Sequence, residues 1–210
     1  MITKGIIRKS LLVFFIFLIF ISVGYLLSAR GIGGNKQISI TIKEDRNLEK
    51  GIQLLNDNQY ENATHHFEVF LLTNQKIFDS LMAVGAISFG GFHSKLNEGI
   101  QYFEKKIKGD HQDYNAFYFM AILRIMGLEL NDKASSYLKM AIDSSRDFPK
   151  IHYMLGLAYL LQGENKSYET QCLLLEKQDI NLANRLRTVL DESPTFRNFL
   201  KETFIEKNRK

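Results

Sequence analysis

The chain is expected to be all-α, assembled from consecutive helical hairpins, and three observations carry that reading. Helix breakers are scarce, with only Pro149 and Pro194 in 210 residues. From about Asn47 onward, apolar residues recur at the three- and four-residue spacing of an amphipathic helix. The interruptions of that period divide the chain into paired helices joined by short turns.

The elements are read in chain order. Residues 1–9 hold Lys4, Arg8 and Lys9 and form a basic N-terminus, expected on the cytoplasmic side. Residues 10–29, SLLVFFIFLIFISVGYLLSA, carry no charge over 20 positions. At a rise of about 1.5 Å per residue such a helix spans a hydrocarbon core of about 30 Å, so a single transmembrane helix is expected. Lys4, Arg8, Lys9 and the α-amine lie before it, against Arg30 and Lys36 after it. The positive-inside bias therefore keeps the N-terminus in and sends the rest out. A cleaved signal peptide is the alternative, with Ser22 and Gly24 before a cut at Tyr25. The apolar run continues through Tyr25, Leu26 and Leu27, which favours retention as an anchor. Residues 30–45, with Gly31, Gly33 and Gly34 and then alternating Ile38, Ile40 and Ile42, read as an extended linker.

Four hairpins are expected next. The first uses 46–57 and 60–74, the second 77–90 and 95–108. The third uses 113–129 and 131–146, the fourth 149–162 and 165–177. Pro149 falls at the start of a helix, where its missing N–H costs nothing. Residues 178–207 supply two more helices as a C-terminal cap. One has the apolar stripe Ile180, Ala183, Leu186 and Leu190. The other opens with Ser193 as N-cap and Pro194 at the first position, followed by Phe196, Phe199, Leu200, Thr203 and Phe204.

Within the hairpins, small and large residues recur at fixed offsets. In GIQLLNDNQYENATHHFEVFL they are Gly51, Tyr60, Ala63 and Phe67, and in IHYMLGLAYLLQGE they are Leu155, Gly156 and Tyr159. Ala134, Leu138 and Ala141 fit the third unit, and Gly99 and Phe103 the second. Over residues 46–177 this pattern resembles the tetratricopeptide repeat (TPR). It departs from that pattern where Gly90-Gly91 lengthens a turn, where Tyr168 replaces a small residue, and in having no Trp. Cys172 stands at a large apolar position and is read as a packed core thiol.

The resemblance implies a TPR-like solenoid whose hairpins stack around a groove that takes protein partners. Carried onto this chain, the groove positions are Leu48, Ile52 and Leu55 in the first unit. They are Met82, Ala86 and Phe89 in the second, and Phe119, Met120, Leu123 and Met126 in the third. The fourth contributes Tyr153, Met154, Leu157 and Leu160. Of the five methionines after the initiator, four fall on these positions. A soft apolar groove suits an amphipathic helix or another TPR protein as partner. TPR domains that hold a peptide carboxylate use Lys, Arg and Asn, and here only Asn56 and Arg124 come near. In the competing reading the same residues are core, or are covered by the C-terminal helices.

Charge and chemistry narrow the function classes. The first 36 residues carry five of the 27 Lys and Arg and none of the 23 acids, which leaves the remainder with 22 basic and 23 acidic side chains. A net charge of −1 lacks the electrostatic footprint of nucleic-acid binding, so no nucleic acid is expected as partner. One cysteine allows neither an intramolecular disulfide nor a cysteine zinc site. His65, His66, His93, His111 and His152 are scattered, and no metal, cofactor or catalytic residue is expected. Phe, Tyr, Ile, Asn and Lys make up 78 of the 210 residues, a bias of AT-rich bacterial genomes. With the uncharged run and its flanking charges, the expected location is the inner membrane with a periplasmic domain. The expectation is a non-enzymatic, membrane-anchored adaptor that assembles or braces an envelope complex, such as a periplasmic flagellar-motor collar or a secretion machine. The alternative is a chaperone-like protein released into the periplasm after signal cleavage.

Overall fold

Three of the described helices start at an aspartate cap. In the computed structural model, which describes residues 45–87, 91–111, 113–144 and 148–208, the first helix begins directly after Asp45. The Asp45 carboxylate accepts from the backbone N–H of Asn47 at 3.0 Å and of Leu48 at 3.1 Å, satisfying two orphan donors of the first turn. Its other oxygen accepts from Asn74 Nδ2 at 2.8 Å, which ties the domain's first residue to the end of its second helix. Asp113 and Asp179 cap two later helices in the same way. The basic N-terminus expected at 1–9, the membrane span at 10–29 and the linker at 30–45, its last residue Asp45 excepted, lie outside the described residues.

Among the described residues there are ten helices and no strand. They are α1 (Arg46–Asn56), α2 (Tyr60–Thr73), α3 (Ile77–Ile87), α4 (Gly91–Gly109), α5 (Tyr114–Met126), α6 (Lys133–Ser144), α7 (Pro149–Gln162), α8 (Asn165–Gln178), α9 (Ile180–Thr188) and α10 (Pro194–Asn208). None is long and apolar enough to cross a membrane. Pro149 takes the first position of α7, and Gly163, with φ 73°, ends that helix in the left-handed conformation that glycine adopts freely.

Three pairs close as hairpins: α1 with α2, α5 with α6, and α7 with α8. Small residues let them close. A Cβ at Gly51 would run into the Phe67 ring, so α1 and α2 approach only because that position is glycine. Ala63, Ala134, Leu138, Ala141, Cys172 and Leu175 are all buried along the second helices. Burial also pushes the Cys172 thiol above the usual range, as expected of a packed thiol. Ala63 leaves no room for a larger side chain, so Ala63→Leu is expected to cost about 1–3 kcal/mol, read as a lowered midpoint of thermal unfolding.

The second pair departs from expectation. α4 packs mainly on α5 and also meets α1, with Gly99 against Leu123 and Tyr60, and α2 packs on α5 as well. The four helices α1, α2, α5 and α4 thus close a ring from which α3 is left out. α3 meets α4 only lightly and pairs instead with α10. The expected C-terminal cap is corrected accordingly. α9 does cover the end, packing on α7 and α8, with Leu186 filling the notch left by Gly156. α10 turns back to α3.

Candidate partner-binding surfaces

The groove positions are mostly interior. Leu48, Leu55, Met120, Leu123, Tyr153, Met154 and Leu157 are 0 % exposed, and Phe119, Met126 and Leu160 are buried too. Ile52 and Met82 are half-buried, and the side chains of Ala86 and Phe89 lie outside the described residues. The physical reason is the helix count around α5 and α7. α5 meets α2, α4, α6 and α7, and α7 meets α5, α6, α8 and α9, so little of either surface faces solvent. Among the described residues the structure therefore brings most of these side chains together as a core.

Arg124, the basic residue nearest the expected groove, is also committed. It is 5 % exposed, donates from Nη1 to both carboxylate oxygens of Glu129 at 2.8 and 3.0 Å, and lies over the Tyr137 ring at 5.4 Å. A guanidinium held this way is not offered to a partner's carboxylate.

A polar hub joins three helices. Glu68 of α2 is buried and accepts from Tyr118 Oη of α5 at 3.0 Å and from Lys150 Nζ of α7 at 2.7 Å. Burial, with the Glu68 carboxylate beside it, pushes the Tyr118 hydroxyl well above the phenol range and that of Tyr114 up to about 12. Both phenols stay neutral, but only the Tyr118 hydroxyl donates to Glu68; the Tyr114 hydroxyl is buried without a hydrogen bond and is not part of the hub. The hub holds α2 against α5 and α7, and its groups are spent on one another.

Two of the five histidines are likewise occupied. His66 Nδ1 meets Asn47 Oδ1 at 3.1 Å, and the buried His152 meets Gln171 Oε1 at 2.6 Å. Among the described residues no three His, Cys, Asp or Glu side chains converge as metal ligands. A cavity of about 200 Å³ opens between α2, α4 and α5, lined by Glu61, His65, Phe103, Lys106 and Phe119 among others. It is smaller than the roughly 300 Å³ at which ligand sites begin. Glu61 within it is already paired with Lys106 and accepts from Tyr102 Oη at 3.1 Å.

Sequence reasoning missed the contact between α3 and α10. Phe78 and Phe196 stack at 4.3 Å between centroids with 27° between planes, and both are 0 % exposed. Asp79 accepts from the backbone N–H of Phe196 at 2.9 Å and of Thr195 at 3.4 Å. Ser193, expected as the N-cap of α10, is buried and its hydroxyl makes no hydrogen bond. The cap comes instead from a residue more than a hundred positions away. Two sequence signals point there. The Gly90-Gly91 pair interrupts the helical pattern of the sequence after α3, and α3 itself, IFDSLMAVGAI, has only Asp79 and Ser80 as polar residues. A helix apolar all round must be covered all round. No protein-family model matches the chain, and no curated protein or solved structure matches it either.

Proposed function

We propose that the protein is a membrane-anchored, TPR-like adaptor that works through protein–protein contacts in a bacterial envelope complex. The observation that carries this is the pairing of an uncharged 20-residue run at 10–29 with a stack of small-against-large helical hairpins beginning at Asp45. Stacked hairpins supply extended surfaces built from repeated units, and such surfaces serve binding. Tethering confines those surfaces near the membrane, which raises the effective concentration of weak contacts without adding new ones. With the positive-inside bias, the domain faces the periplasm, and a motor collar or a secretion machine is the setting that suits it.

The test separates a tethered adaptor from a released chaperone. A tethered protein is expected to keep Met1 and to sediment with the inner membrane in high salt. A mature chain starting at Tyr25 in the soluble periplasmic fraction would contradict the proposal. Deleting residues 1–34 removes the only long uncharged run, so the remaining 35–210 fragment is expected to be soluble and helical by circular dichroism. Aggregation of that fragment would count against a self-sufficient domain.

A further inference from the structure

We propose that α3 is a docking site for a helix of a partner protein, and that α10 fills it in cis until the partner displaces it. The guest that fits is an amphipathic helix whose first turn reads Pro-x-Phe, with a second apolar residue one turn further on. α10 shows this fit: Pro194 opens it, Phe196 stacks on Phe78, and Leu200 is buried a turn later. The proposal rests on the adaptor reading for the existence of a partner, while the docking itself is testable without one.

Three features of the contact carry it. First, α3 needs more cover than its sequence neighbour provides, because α4 touches it only lightly and is engaged with α5 and α1. Ile77, Phe78, Leu81 and Val84 are nonetheless buried. Second, α3 brings its own recognition element for a helix end. The Asp79 carboxylate receives two first-turn N–H groups of α10, and a negative charge at a helix N-terminus is also favoured by the helix dipole. Because Ser193 makes no hydrogen bond, the cap belongs to the receptor helix and is offered to any helix that starts there. Third, among the described helices α10 packs mainly on α3, while α9, joined to it by residues 189–193 of which Val189 and Ser193 are buried, is held separately by α7 and α8. α10 can therefore leave without pulling the stack apart. In cis its effective concentration is on the order of millimolar, so only a partner that is tight or itself tethered competes.

The experiment uses the full chain in detergent micelles and a fluorescent peptide copying residues 192–208, read by anisotropy. Phe196→Ala in the chain weakens its own α10 and should expose the site, so the wild-type peptide is expected to bind this variant at least about tenfold more tightly than the wild-type chain, a difference of about 1.4 kcal/mol. A peptide carrying Phe196→Ala is expected to lose binding. Adding Asp79→Asn to the Phe196→Ala chain is expected to weaken the wild-type peptide by about tenfold. Equal affinity for the two chains, no binding to either, or indifference to Asp79→Asn would overturn the proposal. So would loss of helical circular dichroism in the Phe196→Ala chain, which would make α10 part of the core. A wild-type chain that dimerises while the Phe196→Ala chain does not would assign the site to α10 of a second copy. None of these outcomes alters the mature N-terminus or membrane fractionation, so this proposal and the adaptor reading fail separately.

Discussion

Changing Met120 and Met154 together to glutamate is expected to unfold the helical domain. Both side chains are 0 % exposed, on α5 and α7, two helices that pack on each other. Each carboxyl group would enter a buried interior made largely of apolar side chains. Burying a polar group without a partner costs roughly 2–7 kcal/mol, and an ionised one more. Two such penalties match or exceed the roughly 5–15 kcal/mol by which a domain is stable. The measurement is far-UV circular dichroism with thermal melting of the 35–210 fragment. A folded double variant would mean that α5 and α7 expose these positions in solution as an open groove.

Phe67→Ala is the second large effect. Phe67 is 0 % exposed, fills the space left at Gly51 and meets Phe92 edge-on at 6.3 Å. Removing the ring leaves a cavity where α1 and α2 cross, at an expected cost of about 3–5 kcal/mol. For a domain of this size that lowers the melting temperature by on the order of 10 °C. Val69→Ala, on the same helix but 42 % exposed, is expected to change stability by no more than about 0.5 kcal/mol. Equal effects from the two changes would mean that the first hairpin is packed differently.

The hairpins were legible because their determinants are local. The helix of Arg46–Asn56 starts where Asp45 can cap it, and α7 starts at Pro149 and stops at Gly163. Gly51 and Phe67 stand sixteen residues apart, close enough for a repeat pattern to register them together. The pairing of α3 with α10 depends on residues 116 and 117 positions apart, and no period connects Asp79 to Thr195 and Phe196. Ser193-Pro194 correctly marked the start of α10 but named the wrong cap, since Ser193 is buried without a hydrogen bond. The groove was the hardest feature to read. Repeat offsets state which residues face the next hairpin, whereas exposure depends on how many helices surround them. Met120 and Met154 sit at groove offsets and yet are core, because α9 closes the end of the stack and α2 and α4 both reach α5.

The claim that the protein is a tethered adaptor is met most directly by lysine crosslinking in intact cells, followed by identification of what is joined to the chain. Exposed lysines such as Lys105, Lys139, Lys177 and Lys201 lie on four different helices of the domain, so a partner on any of several faces falls within reach. The account predicts that the uncleaved chain, recovered from the inner membrane, is joined repeatedly to the same few envelope proteins, from lysines that cluster on one face. Crosslinks from a processed, soluble chain to a broad and changing set of unfolded proteins, spread over every face, would contradict it.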